Sequence, residues 1–141
     1  TNAPDGLGVS DIQLWQRGST TAFAPPGLNS PQADSQPSLS LTGRWIAFVS
    51  DRSGGAGARD IYLYDQHESK LLPLPGLNSA GQEQSPCLSA DGNYLAFVSE
   101  RLDSIGERDV YLYDIAQQKL LPTLGLNSFR DEYDPCVIVL P

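Results

Sequence analysis

The tetrapeptide Gly-Leu-Asn-Ser occurs three times at a constant spacing, and this repeat limits the folds open to the chain. The copies lie at Gly27–Ser30, Gly76–Ser79 and Gly125–Ser128, 49 residues apart. Aligned without a gap, residues 27–75 and 76–124 are identical at 24 of 49 positions. Each unit of such an array builds the same supersecondary structure. We divide the 141 residues into the second half of a unit (1–26), two full units (27–75 and 76–124) and the start of another (125–141).

Each full unit contains four short segments with strand character. In the first unit Ser38–Leu41 alternates polar and apolar residues, and Trp45–Val49 is apolar on both faces, as a central strand is. Asp60–Asp65 is β-branched and aromatic, and Lys70–Leu74 ends at a proline. No ten-residue stretch shows helical periodicity closed by caps. Four short strands in a repeated unit of this length predict an all-β fold of four-stranded antiparallel β-propeller blades.

The second full unit carries a recognisable motif. Leu88–Gly92 reads Leu-Ser-Ala-Asp-Gly, and the apolar segment Tyr94–Val98 and then Asp109–Leu112 follow it. This pattern resembles the repeat of the TolB-type, WD-repeat-like propellers, in which the pentapeptide is usually Trp-Ser-Pro-Asp-Gly. The resemblance implies blades around a central channel and a periplasmic or extracellular protein. Since such propellers occur as binding proteins and as enzyme domains, it does not by itself assign a function.

The number of units poses a closure problem. A propeller has about four to eight blades, whereas this chain contains fewer than three units. Asp11–Trp15 and Thr20–Ala24 match the third and fourth strands of a blade, and Cys136–Leu140 matches a first strand or, through Val137–Leu140, takes the second place. We therefore expect a homodimer that closes a six-bladed ring through composite blades, because two-fold dimers are the commonest oligomers. The alternative is a portion of a longer propeller.

The Gly-Leu-Asn-Ser loops form the first candidate binding site. Each loop has an acidic residue three positions before a proline. The resemblance implies that these loops lie at the channel mouth, where a ring of amides and carboxylates would bind a cation such as calcium, or basic groups of a partner. Alternatively, the Asn and Ser side chains cap their own turns and the acids are solvated. The candidate ring comprises Asn29, Ser30, Asp34, Asn78, Ser79, Glu83, Asn127, Ser128 and Glu132.

The third loop differs from the first two in its aromatic side chains. Phe129 and Tyr133 lie among charged residues, at positions that are neither aromatic nor charged in the earlier loops. A residue that differs between copies of the loop can make a contact specific to one copy, whereas a residue that recurs in every copy maintains the blade structure. We therefore predict Phe129 and Tyr133 as the point where a protein partner docks.

A charged cluster recurs where each second strand leads to the third. Because an arginine adjoins the acids, we predict structural, charge-assisted hydrogen bonds across this connection and not acid–base chemistry. A calcium site that uses Asp51 and Asp60 is the alternative. The predicted bridge comprises Asp51, Arg52, Asp60, Glu100, Arg101 and Asp109.

The sequence lacks the common catalytic motifs, and we predict no enzymatic activity. His67 is the sole histidine, so no second histidine is present for a triad or a zinc site. The alternatives that remain are the gating propeller domain of a peptidase and a metal-dependent enzyme in the channel.

Charge and hydropathy limit the partners. The net charge of −8 opposes a nucleic-acid partner, and no apolar run is long enough to span a bilayer. Cys87 and Cys136 occupy equivalent positions and are predicted to be buried free thiols.

Overall fold

The computed structural model describes residues 7–138, which form two successive four-stranded antiparallel sheets. The first sheet comprises β1 (Asp34–Leu39), β2 (Trp45–Ser50), β3 (Asp60–Asp65) and β4 (Lys70–Leu72). The second comprises β5 (Glu83–Leu88), β6 (Tyr94–Ser99), β7 (Asp109–Asp114) and β8 (Lys119–Leu121). In both sheets the spatial order follows the chain order. The predicted all-β fold with four antiparallel strands in each full unit is therefore confirmed.

The central strands form because their sequences are apolar on both faces. In β2, Ile46, Ala47 and Phe48 are fully buried, and the strand pairs with β1 on one edge and β3 on the other. The equivalent residues of β6 are buried in the same way. No helix that could cross a membrane is found within residues 7–138.

The first strand of the first sheet begins earlier than the sequence pattern predicts. β1 starts at Asp34 and ends at Leu39, whereas alternation alone predicts Ser38–Leu41. The cause is a register shift between Ser35 and Ser38, with Gln36 at a φ of 50°. An irregularity of this kind breaks the period-2 pattern and hides the strand. At the other end of the sheet, β4 stops at Leu72, two residues before the predicted end.

The segments outside the two sheets are less regular. The two predicted strands within residues 11–24 reduce to one bridge, in which Leu14 and Phe23 exchange backbone hydrogen bonds of 2.8 and 2.9 Å. Residues 131–138 contain no strand. The predicted strand Cys136–Leu140 extends beyond the described residues at positions 139 and 140.

Side-chain packing repeats with the 49-residue period of the sequence. The N-terminal segment packs on the first sheet through Ile12, Leu14 and Leu28, which contact Ile46, Phe48 and Tyr64. One period later the first sheet packs on the second through Ile61, Leu63 and Leu77, which contact Leu95, Phe97 and Tyr113. The hydroxyl of Tyr64 donates to the carbonyl of Pro26, and that of Tyr113 to the carbonyl of Pro75, both at 2.8 Å. The same interface is thus built twice.

Candidate functional site

The side chain of each repeated asparagine hydrogen-bonds both backbone groups of one residue in the segment that precedes its loop. The Asn78 side chain accepts a hydrogen bond from the Ile61 amide and donates one to the Ile61 carbonyl, both at 2.9 Å. β4 pairs with β3 only from Leu63 onward, so it leaves these two groups without a strand partner. The amide therefore replaces a neighbouring strand, and buried backbone groups require such a partner. Asn29 does the same for Ile12, and Asn127 for Val110.

Each serine of the tetrapeptide binds the acid four residues later. The Ser30 amide and hydroxyl donate to one oxygen of Asp34, at 2.6 and 2.9 Å. Ser128 binds one oxygen of Glu132 in the same manner, whereas the amide and hydroxyl of Ser79 donate to different oxygens of Glu83. Asp34 and Glu83 are buried, so these two carboxylates close their loops from within. The three asparagines of the predicted ring thus bond the segment before their loop, and the serines and acids bond each other inside it. Binding at the ring stays a prediction.

An arginine ties each of the first two loops to its sheet. Arg52 donates to Asp34 at 2.8 Å and to the carbonyl of Leu28 at 2.7 Å, and it lies over the Tyr62 ring. In the second unit Arg101 donates to the carbonyl of Leu77 at 2.6 Å. We predicted that Arg52 and Arg101 bridge the connection between the second and third strands. In the structure their guanidinium groups instead bind the Gly-Leu-Asn-Ser loops.

The predicted charge bridge is formed by other arginines. Arg108 donates to Glu100 at 2.9 Å, and Arg59 lies 3.7 Å from Asp51. Asp60 accepts hydrogen bonds from the Gly57 amide, and Asp109 accepts them from the amides of Ile105 and Gly106. These two aspartates therefore bind backbone amides within the connection. The arginine before each of them pairs with the acid at the start of the connection.

The strand connection of one unit contacts the loop of the next. A Cβ on Gly57 would lie 2.0 Å from the carbonyl oxygen of Gly81, and one on Gly106 would lie 2.8 Å from that of Arg130. Glycine is required at these two places because the backbones approach so closely. The Gly-Leu-Asn-Ser loops and the connections are thus gathered at one end of the sheets.

Polar residues link β1 to β5, and β5 to the equivalent segment of the third unit, and sequence reasoning missed them. The Ser85 amide donates to the side-chain oxygen of Gln36 at 2.7 Å, and its hydroxyl donates to Asp134 at 3.0 Å. The Leu88 amide donates to the hydroxyl of Ser38 at 2.9 Å. Positions 36, 85 and 134 are 49 residues apart and polar in all three units, which is the signal that an alignment by residue class would have found.

The third loop presents its aromatic residues to solvent. Phe129 is 91% exposed and Tyr133 is 58% exposed. The Tyr133 hydroxyl donates to Asp131 at 2.9 Å, and the guanidinium of Arg108 lies 5.7 Å from its ring. The hydrogen bond to Glu100, followed by that to Tyr133, raises the pKa of Arg108, so this cation persists beside the loop.

The two cysteines and the acidic side chains are the remaining candidate site groups. Cys87 and Cys136 are free; Cys87 is half-buried and Cys136 is exposed, so the prediction of two buried thiols is wrong for Cys136. Burial raises the pKa of the Cys87 thiol. In the part of the chain that the structure describes, no group of three or more His, Cys, Asp or Glu side chains is placed to hold a metal ion.

Comparison with known proteins gives structural similarity only. No protein-family model matches the chain. No curated protein matches it either. TolB from Acinetobacter baumannii is similar at a TM-score of 0.49 and 21% identity, over 76% of this chain and 24% of that one. A TolB from Agrobacterium tumefaciens gives 0.48 and 25%, over 63% and 32%. The tricorn protease gives 0.44 and 17%, over 72% and 12%.

This chain spans about a quarter to a third of the length of the two TolB chains. TolB proteins, the family that the repeat motif resembles, are thus among the solved structures similar to it. The two sheets have the strand number and order of propeller blades.

Proposed function

We propose that this chain is a non-enzymatic, propeller-type binding module whose third loop docks on a protein partner. One observation carries the proposal: a loop scaffold used three times bears an exposed aromatic residue in its third copy alone. Ser128 keeps the hydrogen bonds of Ser79, yet the next residue is Phe129 where the second loop has Ala80. Ala80 is also exposed, although the second loop is followed by a complete sheet. Phe129 therefore occupies a position that is exposed in the second loop as well.

The scaffold holds this aromatic pair in place before any partner arrives. Asn127 fixes the loop to β7 through both Val110 backbone groups, and Ser128 ties it to Glu132. A pre-organised loop loses little conformational entropy on binding, which favours affinity. Aromatic residues and arginine are the residues that most often dominate the binding energy of protein interfaces.

The charge of the chain indicates the chemistry of the partner. Asp131 and Glu132 lie beside the two aromatic residues in the third loop. The net charge of −8 favours a basic partner surface.

A cation such as calcium is the second candidate ligand. Calcium prefers carboxylate, amide and backbone carbonyl oxygens, which the loop ring contains. Calcium titration of the wild type and of Glu132→Gln, followed by thermal unfolding, tests this. A calcium-dependent rise in Tm that Glu132→Gln abolishes would support a cation site at the third loop.

The protein partner is tested by giving the third loop the second loop's residues. Phe129→Ala with Tyr133→Gln reproduces Ala80 and Gln84. We expect this variant to keep the Tm of the wild type and to bind the partner at least about tenfold more weakly. Leu41→Ala is the control, since Leu41 is exposed and lies beyond the opposite end of β1.

Capture is best performed from periplasmic or extracellular fractions, the compartments that the sequence resemblance implies, with affinities then measured on the purified partner. Equal affinity of the double variant and the wild type would contradict docking at the third loop. Hydrolytic activity of the chain alone would contradict the non-enzymatic function.

A further inference from the structure

We propose that Cys87 and Cys136 form a reversible disulfide that fastens β5 to the equivalent segment of the third unit. Both thiols are free in the structure. The two cysteines, and the contacts that place them side by side, lie within residues 7–138. The bond would join two successive units of the chain, and it does not depend on a partner at the third loop.

The interface between β1 and β5 shows how equivalent positions of successive units meet. Cys87 follows Ser38 by 49 residues, and Cys136 follows Cys87 by the same interval. The Ser38 hydroxyl accepts a hydrogen bond from the Leu88 amide at 2.9 Å. The side chain at this position therefore reaches the backbone beside its own counterpart in the next unit. With cysteines at this position in two successive units, one thiol is directed toward the other.

The next interface along the chain repeats this arrangement with sulfur in place of oxygen. Val137 follows Leu88 by 49 residues, so its amide is the counterpart of the donor to Ser38. Burial raises the pKa of Cys87, whereas a hydrogen bond from the Val137 amide lowers it and a hydrogen bond with the Cys136 thiol raises it. The two thiols thus point toward each other, which is the side-chain direction that a disulfide requires.

Other contacts hold the same two segments together around the cysteines. Two residues before each cysteine, the Ser85 hydroxyl donates to the Asp134 carboxylate at 3.0 Å. These two residues also share a left-handed backbone, with φ of 51° and 44°. Cys136 lines a groove together with Ala96, which pairs with Cys87 across β5 and β6. The two segments therefore follow the same path and lie side by side at the cysteines.

The reaction requires an oxidant, and a small-molecule disulfide such as oxidised glutathione is sufficient. The thiolate of one cysteine attacks this disulfide, which gives a mixed disulfide and releases one glutathione thiolate. The thiolate of the other cysteine attacks the protein sulfur of the mixed disulfide and releases the second glutathione. The two cysteines lose two electrons and two protons, and the oxidant becomes two thiols. An excess of a reducing thiol reverses both steps.

The bond would stabilise the second half of the chain. It closes a segment of 49 residues that contains β6, β7, β8 and the third loop. A cross-link restricts the unfolded chain, and the restriction grows with the length of the closed segment. Oxidation should therefore raise the Tm, and reduction should lower it again.

Oxidation of the full chain in a glutathione redox buffer tests the proposal. We expect the wild type to lose both free thiols and to yield linked Cys87 and Cys136 peptides in non-reducing mass spectrometry. Its Tm should rise, and dithiothreitol should reverse the rise. Cys87→Ser and Cys136→Ser should each show the same Tm in oxidising and reducing buffer, because neither variant can form the bond.

The interface between β1 and β5 offers a matched control. Ser38→Cys in a Cys136→Ser background moves the cysteine pair to positions 38 and 87, and this variant should form the same bond. Leu102→Cys in that background should form no bond within the chain, because Leu102 lies in the connection after β6 and has no equivalent relation to Cys87.

Four outcomes would overturn the proposal. They are two free thiols that persist in the oxidising buffer, a mixed disulfide with glutathione that does not proceed to the internal bond, a disulfide that joins two chains, and an internal bond that leaves the Tm unchanged or lowers it. The Phe129→Ala, Tyr133→Gln variant should form the bond as the wild type does, which separates this proposal from docking at the third loop.

Discussion

Arg52 and Asp34 form an ion pair of 2.8 Å with side chains 13% and 0% exposed, and the same guanidinium donates to the carbonyl of Leu28. One cation thus joins the Gly-Leu-Asn-Ser loop, the start of β1 and the end of β2. Because the carboxylate is fully buried, its stability depends on this partner.

Removal of Arg52 should destabilise the fold more than removal of its counterpart. Arg52→Met leaves Asp34 without its cation, and we expect the free energy of unfolding to fall by about 3 kcal/mol. Arg101→Met should cost only about 1–2 kcal/mol, because Glu83 keeps hydrogen bonds from Ser79 and Ser99. Urea unfolding of both variants measures the difference, and equal losses would contradict the special role of the Arg52 pair.

The repeated asparagine should prove structural. Asn78→Ala removes both partners of the Ile61 backbone groups, and we expect a loss of about 2 kcal/mol. Asn78→Asp keeps the acceptor for the Ile61 amide and should lose less. Asn93→Ala, in the exposed turn before β6, is the control and should cost under about 1 kcal/mol. Thermal or urea unfolding checks the order, and an Asn78→Ala variant as stable as the control would refute it.

Acid should destabilise the chain in part through Asp65. Arg44 donates to its carboxylate at 3.2 and 2.9 Å, and chiefly through this hydrogen bond the pKa of Asp65 lies below its usual value. A lowered folded-state pKa adds stability above the unfolded-state pKa of about 3.9, and that stability disappears as the pH falls through the folded-state value. Asp65→Asn should therefore show a smaller loss of Tm between pH 7 and about pH 3. A loss equal to that of the wild type would contradict this assignment.

Thiol labelling should distinguish the two cysteines. Cys136 is exposed, whereas Cys87 is half-buried. In the single variants Cys87→Ser and Cys136→Ser, the remaining Cys136 should react faster than the remaining Cys87, because burial raises the pKa of Cys87 and the thiolate is the reactive form. Equal labelling rates of the two variants would contradict this difference.

Local patterns predicted the strands well where one period governs them. Trp45–Val49 and Asp60–Asp65 lie in β2 and β3 because apolar, β-branched and aromatic residues fit a buried strand. The start of β1 was missed, because the shift after Ser35 removes the alternation that reveals a strand. A register shift is decided by pairing with β2, and no short window of sequence contains that information.

The contacts of the candidate site were likewise predictable from sequence only where they are local. The spacing of Ser79 and Glu83 pointed to a recurring loop geometry, because hydrogen bonds over four residues follow from local sequence. The bonds of Asn78 did not follow, since they reach Ile61 across 17 residues. Which arginine each acid meets did not follow, since Arg52 reaches Asp34 across 18 residues.

The sequence by itself determined the repeat, the strand content and the residues that recur every 49 positions. Each of these follows from a regular spacing along the chain. Only the tertiary structure decided what each copy of a residue does. Asp34, Glu83 and Glu132 share one position, yet Arg52 pairs with the first, Ser99 binds the second, and the third keeps an oxygen without a partner among the described residues. The reason is that three-dimensional packing selects the partner of each side chain from residues 16 to 18 positions away, Arg52 for Asp34 and Ser99 for Glu83, and a period in the sequence does not specify that choice.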